Sequence, residues 1–464
     1  MSGAAPVPAS RRGWCPGIAR PMATGDGLLV RIHPRHGCLT TAQLGGLADL
    51  AERYGNGLAD VTSRGNLQLR GVAEADHGAL SDALAGLGFI DDLPATGPQR
   101  IVFVDPLSGL DGRPDLRPLA DAIEAALRPL RAKLPGKFCI ALGHEGTAPA
   151  VAADLEVAVD ADGNALVRLP GAQPPEADTP CAPPPCGEGL GVARATKEGG
   201  RLPGWTTPLP NPPPKGGRGQ AAGLPACTGR EQGAGLPVRI AALVSEFLAN
   251  RPGKRSPRQR NDVPANYLGL LPAGEQPILA VAPAFGRLHT ADMRRLAGWA
   301  GRHGAGELRL TPSRAVLIPH LDRGAADGLM REARAAGFIV DADDPRVLLV
   351  ACPGRPACRS AFAPAQADAL RLAGVAGLLG AMHVSGCAKG CARQAPAPLT
   401  LVGEAGGYGV VLDGTVRDAP LAVRSAAEIE ALLQQVVATG PSRGEAIASL
   451  ARALGSEPGK EMPR

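Results

Sequence analysis

Four cysteines near the C-terminal end of the chain carry the clearest chemistry. Cys352 and Cys358 read C-x5-C, and after a long gap Cys387 and Cys391 read C-x3-C. The first pair follows an apolar, strand-like run, RVLLVAC, and its loop, CPGRPAC, is stiffened by two prolines and a glycine. The second pair lies in HVSGCAKGCA, where Gly386 and Gly390 remove side chains beside the sulfur ligands. Amides freed by small residues can point at cluster sulfides, and such hydrogen bonds help to set a potential. Four thiolates suit a [4Fe–4S] cluster or zinc. Structural zinc favours shorter loops in both pairs, so the five-residue spacer argues for the cluster. Zinc, or buried cysteines that bind nothing, are the alternatives.

Composition bounds what such a centre can serve. A chain of 464 residues with 44% hydrophobic and 20% charged residues has material for several domains with real cores. Aromatics make up only 3%, so those cores are built from Leu, Val, Ile and Ala. A net charge of +5 is too mild to argue for nucleic acid, but it suits a polyanionic small molecule if the charges converge on one cleft. Residues 1–16 hold no apolar stretch of signal-peptide length, and no run reaches the roughly 18 apolar residues of a membrane span. The expectation is a cytoplasmic protein, in which ten cysteines point to metal or catalytic use rather than to disulfides.

An internal repeat supplies the elements that must position these residues. One copy runs from GLLVRIHPRHG to ALAGLGFIDD and the other from PILAVAPAFGR to REARAAGFIVD. Gly37 matches Gly286, Thr41 matches Thr290, Leu47 matches Leu296, Gly55 matches Gly304, and Gly88-Phe89 matches Gly337-Phe338, all at one offset. Arg64 and Arg314 match after a single-residue slip. Each copy reads as strand, helix, strand, strand, helix. In copy one, Leu28–Ile32 is a strand, and Thr40 or Thr41 caps a helix whose apolar face is Leu44, Leu47, Ala51 and Tyr54. Gly55 ends that helix. Residues 59–62 and 67–69 are strand-like, and Leu80, Leu84 and Leu87 mark a second helix. Two such α+β units can pack about a pseudo-twofold axis, and a cleft between duplicated halves is a natural ligand site.

Between the copies, a helix is expected at about 116–134, with strands near 138–142 and 155–159. Residues 170–237 break every pattern. They are dense in Pro and Gly and read as a disordered insertion. Cys181, Cys186 and Cys227 fall inside it, and we do not read them as a second metal site. After copy two, the chain ends in a further α/β segment.

The cysteine spacing at the C-terminal end of a duplicated chain resembles the sirohaem-dependent nitrite and sulfite reductases. Within that superfamily, GDGLLVR, TSRGNLQLRG and SGCAKGCA together resemble the precorrin-3B synthases. The resemblance implies a duplicated α+β architecture: two ferredoxin-like half-domains, residues 18–92 and 269–344, about a pseudo-twofold. Two α/β domains complete it, one at 93–268 with the insertion and one at 345–445 carrying the cluster. It also implies that basic residues hold tetrapyrrole carboxylates, with Arg31, Arg64, Arg100 and Lys137 at matching positions. The activity implied is oxygen-dependent conversion of precorrin-3A to precorrin-3B, a hydroxylation with closure of a γ-lactone. Its implied requirements are dioxygen, an NAD(P)H-linked electron donor, the [4Fe–4S] cluster and a mononuclear non-haem iron.

The residues agree with this from below. Arginine offers paired donors for carboxylates. Arg31 and Arg64 lie in or beside apolar strands, Asn66 and Gln68 alternate with Leu67 and Leu69 and so share a strand face, and Arg314 is the one basic residue that copy two repeats. Arg70 reads equally well as a surface residue. His33, His36, His289, His303, His320 and His383 are candidate ligands for the additional iron, and no spacing chooses among them. His383, four residues before Cys387, reads as a neighbour of the cluster rather than an iron ligand.

One departure separates two enzyme readings. The reductases carry a second lysine two residues beyond Lys137, which delivers protons to a bound oxyanion; here that residue is Cys139. A sirohaem-dependent sulfite or nitrite reductase is therefore the second reading, and a zinc-stabilised tetrapyrrole carrier the third. The insertion yields a direct expectation: deletion within residues 170–237 should leave the iron–sulfur absorption and the thermal midpoint nearly unchanged. A large drop in either would show that the segment belongs to a core.

Overall fold

The computed structural model describes residues 16–91, 98–147, 151–168, 235–249, 267–273, 276–438 and 442–455. The disordered-insertion expectation for 170–234, with Cys181, Cys186 and Cys227, lies outside them. Copy one contains β1 (Met22–Ala23), β2 (Leu28–Ile32), β3 (Cys38–Thr40), α1 (Thr41–Tyr54), β4 (Leu58–Val61), β5 (Leu67–Val72) and α2 (His77–Gly86). The middle segment contains β6 (Val102–Val104), α3 (Arg117–Leu127), β7 (Ile140–His144), β8 (Leu155–Val159), β9 (Ala165–Arg168) and α4 (Leu236–Ala249). Copy two repeats the first pattern as β10 (Gly269–Leu271), β11 (Ile278–Val281), β12 (Arg287–His289), α5 (Thr290–His303), β13 (Glu307–Leu310), β14 (Val316–Ile318) and α6 (Arg323–Ala335). The last segment holds β15 (Leu349–Ala351), α7 (Ala365–Arg371), α8 (Ala373–Leu379), β16 (Met382–Ser385), β17 (Ala397–Glu404), β18 (Gly407–Gly414), β19 (Ala422–Arg424), α9 (Ala426–Ala438) and α10 (Arg443–Ala453).

Local chemistry sets the helix starts in both copies. Thr40 Oγ1 accepts from the Gln43 amide at 3.1 Å, and the Gln43 side chain accepts from the Thr40 amide at 3.0 Å, a reciprocal cap for α1. His289 and Asp292 repeat the device at α5. Ahead of each helix the chain reverses through a left-handed pair: His36 and Gly37 have φ of 54° and 78°, and Phe285 and Gly286 have 59° and 78°. Those reversals send the short strands β3 and β12 outward.

Each of these strands joins the other copy's sheet. The first sheet runs β1-β2-β5-β4-β12 and the second β10-β11-β14-β13-β3. Leu288 of β12 pairs with Ala59, and Leu39 of β3 pairs with Leu308. Both leucines are essentially inaccessible, and one hydrophobic core runs through the two sheets, α1 and α5. The exchange was not legible in the repeat, because three-residue strands carry no periodicity of their own.

The sheets also correct one alignment. Val30 pairs with Leu69 as Leu279 pairs with Ile318, so the offset is the same in the strands as in the helices. Arg314 therefore occupies the place of Gly65, not of Arg64, and both adopt positive φ, 67° and 59°. Ser313 stands at the position of Arg64.

The middle segment is a four-stranded sheet, β6-β7-β8-β9, with α3 and α4 in its main core. The helix expected over 116–134 is shorter. It ends at Leu127 and tightens into a 3-10 turn over Arg128–Lys133, because Pro129 has no N–H and its ring crowds the preceding turn. Leu236 and Pro237, assigned to the insertion by composition, are instead buried at the start of α4. The last segment is a five-stranded sheet, β15-β16-β17-β18-β19, with α7–α10 contributing to its core. No helix among the described residues is long and apolar enough to cross a membrane.

The shared core predicts that Leu288→Ala should destabilise both copies together, by about 2–5 kcal/mol. Denaturant unfolding checks this: the midpoint should fall in one cooperative transition. A midpoint unchanged from wild type would mean that the exchanged strand is not an energetic part of the core.

Candidate active site on the first repeat and the cysteine loops

The two copies share a core but differ on the opposite faces of their sheets. In copy one, Val30, Ile32, Leu67 and Leu69 point into the core. Alternation then turns Arg31 and Gln68, which pair directly, to the other face. In copy two the corresponding positions are Ala280 and Leu317, which are sealed in a small apolar cluster with Ile278, Leu110 and Ala273. Only copy one therefore presents a polar surface.

Arg31 Nε and Nη2 donate to Gln68 Oε1 at 3.1 and 2.6 Å, which fixes the guanidinium along the strand pair. Arg64, in the turn between β4 and β5, reaches away to the middle segment and donates to the Lys137 carbonyl at 2.9 Å. Arg100 is buried and donates to the carbonyls of Val102, Arg64 and Gly65. Both guanidiniums lie over the Phe103 ring, 5.5 Å and 4.5 Å from its centre. Burial pulls Arg100 down to about 10, which leaves it charged at neutral pH. Lys137 is exposed, and it is its backbone carbonyl that accepts from Arg64. Contacts thus join Arg64, Arg100 and the Lys137 carbonyl in one set and Arg31 with Gln68 in another. Arg314 is in neither set: its Nη1 donates to the Phe285 carbonyl in copy two at 3.5 Å, and its side chain lies against Gly286.

Cys139 is fully buried in an apolar cluster with Phe103 and Ala141. Its Sγ is 3.4 Å from the Ala152 carbonyl and 3.9 Å from Arg64 Nη2. Asn66 Oδ1 and His33 Nδ1 are buried without a hydrogen-bond partner, a cost that a bound molecule could remove.

Arg70 has a structural role. It is 3% exposed, donates to Asp26 through two nitrogens at 3.0 Å, and lies 3.2 Å from Asp60. Burial alone would raise Asp26, but the Arg70 bonds hold it below the usual carboxylate range. Asp60 also accepts from Arg287 of β12 at 2.9 Å. Arg70 Nη2 donates in addition to the Ala357 carbonyl at 3.0 Å, and the Gly25 amide donates to the same oxygen at 3.2 Å. Two carboxylates saturate this arginine, and its remaining contact ties copy one to the cysteine loop. Neither Asp26 nor Asp60 stood out in the sequence, because their partners are distant along the chain.

That loop begins where two parallel strands end side by side. Ala351 pairs with Val384, so Cys352 and the Ser385–Cys387 turn leave the sheet together. The Gly386 amide donates to Cys352 Sγ at 3.1 Å, and the Lys389 amide bonds to the Cys387 thiol. A Cβ on Gly386 would come within 2.8 Å of Ala361 Cβ, so only glycine lets these two loops approach. Lys389 Nζ donates to Ser360 Oγ at 2.8 Å and joins the loops again. All four cysteines are free thiols; Cys352 and Cys387 are buried, Cys358 is half-buried and Cys391 exposed. Burial pushes the Cys387 and Cys391 thiols up, and the nearby cysteines add to the rise. Four mutually repelling thiolates need a cationic centre. The donor set is all sulfur, with amides aimed at it, and so fits an iron–sulfur cluster held by Cys352, Cys358, Cys387 and Cys391.

The histidines do not assemble. His36 Nε2 sits 3.0 Å from Asp121, His289 caps α5, and His303 and His320 line a depression on copy two. His383 is fully buried on β16 with neither ring nitrogen bonded, and burial pushes it down to about 4. Among the described residues, no group of three or more His, Cys, Asp or Glu side chains closes on a single metal ion.

Comparison with known proteins accords with this geometry. The family described as nitrite/sulfite reductase ferredoxin-like half domain matches residues 20–87 and 274–336, one match on each copy. A precorrin-3B synthase from a Sinorhizobium species is 32% identical over 430 residues, spanning 90% of this chain and 86% of that protein. The chain belongs to the precorrin-3B synthase family. It is thereby an enzyme of the nitrite/sulfite reductase superfamily. The chloroplastic ferredoxin–nitrite reductase of Zea mays is 25% identical over 425 residues, covering 81% of this chain and 69% of its own. The solved NirA protein of Mycobacterium tuberculosis superposes with a TM-score of 0.55 over 94% of this chain and 82% of its own at 17% identity, and shares the fold. The duplicated α+β architecture expected from sequence is the one observed.

Serine at Cys352, Cys358, Cys387 or Cys391 should remove or degrade the cluster, read as loss of iron, acid-labile sulfide and charge-transfer absorption. Retention of full iron and sulfide in all four single variants would show that these residues are not the ligands.

Proposed function

We propose that this enzyme converts precorrin-3A to precorrin-3B in aerobic cobalamin biosynthesis, hydroxylating the macrocycle and closing a γ-lactone with dioxygen and electrons from an NAD(P)H-linked donor. The observation that carries the reading is the precorrin-3B synthase relative that spans 90% of the chain. The buried thiol of Cys139 beneath Arg64 supports it over sulfite or nitrite reduction, because no ammonium stands there to protonate a bound oxyanion. The cluster, when bound by its four cysteines, supplies single electrons. The additional iron implied by resemblance has no ligand set among the described residues, and no step is assigned to it.

The chain's own residues bind and orient. A polycarboxylate entering a partly desolvated surface needs compensating charge, and Arg31, Arg64, Arg100 and Lys137 bring it from four separate segments. Arginine cannot usefully lose its proton near neutral pH, so these side chains position the macrocycle and do not transfer protons. Asn66 and Gln68 give neutral hydrogen bonds on the same face. Copy two, with Ala280 and Leu317 sealed, adds nothing equivalent, so the substrate is anchored asymmetrically on copy one. Arg314, which lies against Gly286 and bonds the Phe285 carbonyl, remains a candidate contact from copy two.

Anaerobically purified enzyme given precorrin-3A, a reductant and oxygen should yield the hydroxylated lactone. Bound sirohaem with brisk sulfite reduction would overturn the reading. Arg64→Ala should weaken binding of precorrin-3A, or of uroporphyrin as a stable polycarboxylate, by roughly 1.5–3 kcal/mol while leaving the cluster intact. Equal affinities by titration would remove Arg64 from the site.

A further inference from the structure

We propose that Arg287, on the strand that copy two lends to copy one's sheet, is a further substrate-binding residue and takes a carboxylate on the side of the basic face away from Arg31. The proposal rests on the reading of that face as a polycarboxylate site. One ladder step crosses four strands of the first sheet. Arg31 of β2 pairs with Gln68 of β5, Gln68 with Asp60 of β4, and Asp60 with Arg287 of β12. Their chain neighbours Ile32, Leu67, Ala59 and Leu288 lie in the shared core, so alternation turns all four of these side chains to the opposite face. Three strand spacings of about 4.8 Å put roughly 14 Å between Arg31 and Arg287. A macrocycle with carboxylates around its rim can bridge that width.

The guanidinium of Arg287 is oriented but not closed off. Nε and Nη2 donate to Asp60 at 2.9 and 3.4 Å, and Nη1 makes no hydrogen bond to the described residues. The side chain is 19% exposed. Asp60 also pairs with Arg70, so one carboxylate charge is divided between two guanidiniums. With Asp26, which accepts from Arg70, two carboxylates face the three guanidiniums of Arg31, Arg70 and Arg287. The other copy shows what a purely structural step looks like. Its matching residues are Ala280, Leu317, Arg309 and Cys38. The middle segment closes that step: Arg309 is 3% exposed and donates to the carbonyls of Pro106 and Ser108, and Arg117 Nη1 lies 3.8 Å from Cys38 Sγ. On the first sheet Arg31, Gln68 and Arg287 all stay part-exposed. Arg287 also stands where the last segment meets the repeats, because its near neighbour Phe285 packs against that segment's core. A ligand bridging Arg31 and Arg287 therefore passes the cysteine loop, which Arg70 holds two residues along from Gln68.

The test is titration of uroporphyrin into the full chain, with iron and sulfide content and the thermal midpoint showing that each variant is folded. Arg287→Gln should weaken binding about tenfold or more, the loss expected for a hydrogen bond between charged groups. Arg287→Lys should recover part of it. Asp60→Asn, which keeps the shape and one acceptor oxygen, separates binding from structure. If Arg287 served only to pair with Asp60, both substitutions would weaken binding alike through the strand exchange. A binding arginine relieved of its carboxylate should instead hold uroporphyrin more tightly, and adding Arg287→Gln should abolish that gain. Labelling of wild type with an arginine-selective dicarbonyl needs no variant to fold: uroporphyrin should protect Arg287 and leave the exposed Arg331 of α6 unprotected. Wild-type affinity in Arg287→Gln, equal weakening by Asp60→Asn, or equal labelling of Arg287 with and without uroporphyrin overturns the proposal and leaves the polycarboxylate site standing. Absence of uroporphyrin binding by wild type overturns that reading and this inference with it.

Discussion

Each half of the repeat completes its sheet with a strand from the other, and most of the molecule's geometry depends on that exchange. β3 and β12 are too short to be stable alone, and they hold only because each is paired along one edge and buried beneath the shared helices α1 and α5. A core built this way cannot be divided between the copies, so the pseudo-twofold is rigid. Everything that touches either sheet inherits a fixed position. Asp60 shows the consequence: it is on β4 of copy one, yet it pairs with Arg287 of the exchanged strand and with Arg70 of β5, and Arg70 holds the Ala357 carbonyl of the cysteine loop. The placement of the cysteine loop against copy one is thus fixed by a buried ionic network anchored on the strand exchange. Removing one member of such a network leaves a buried charge uncompensated.

The symmetry of the backbone makes the asymmetry of the side chains informative. At the same step of the same ladder, copy one has Arg31 and Gln68 and copy two has Ala280 and Leu317. One pair stays half-exposed and polar; the other closes against Leu110 and Ala273. Duplication built two equivalent faces, and the side chains leave one of them suited to a charged ligand. The arginines of that face bond to carbonyls and a side-chain amide and lie over an aromatic ring, contacts that orient each guanidinium.

The cysteine loops follow a different logic. Two parallel strands end together, and Gly386 lets their loops meet closely enough for an amide to reach Cys352 Sγ. Sulfur ligands, backbone amides and the Lys389–Ser360 contact form a site whose chemistry comes mainly from backbone and thiol. Beside Arg64, Cys139 contributes a buried thiol within an apolar cluster. One scaffold can therefore serve enzymes of different chemistry that differ in a few side chains.

The cysteine pattern, the repeat and the helices α1 and α5 were legible from residue type and spacing, whereas the basic positions Arg31, Arg64, Arg100 and Lys137 came from the family resemblance. These properties are local: C-x5-C and C-x3-C, a 3.6-residue apolar period and a cap are each written within a few residues. Membership of the superfamily was legible for the same reason. The sequence was misleading where a short-range pattern had two readings, as in the slip that paired Arg314 with Arg64, or where composition was averaged across a boundary, as at Leu236 and Pro237. Tertiary structure alone decided the strand exchange, the burial of Arg70 between Asp26 and Asp60, and the meeting of His33 with Asp91. Each of these joins residues far apart in the chain through contacts that carry no sequence period, and only the folded core brings their partners within reach.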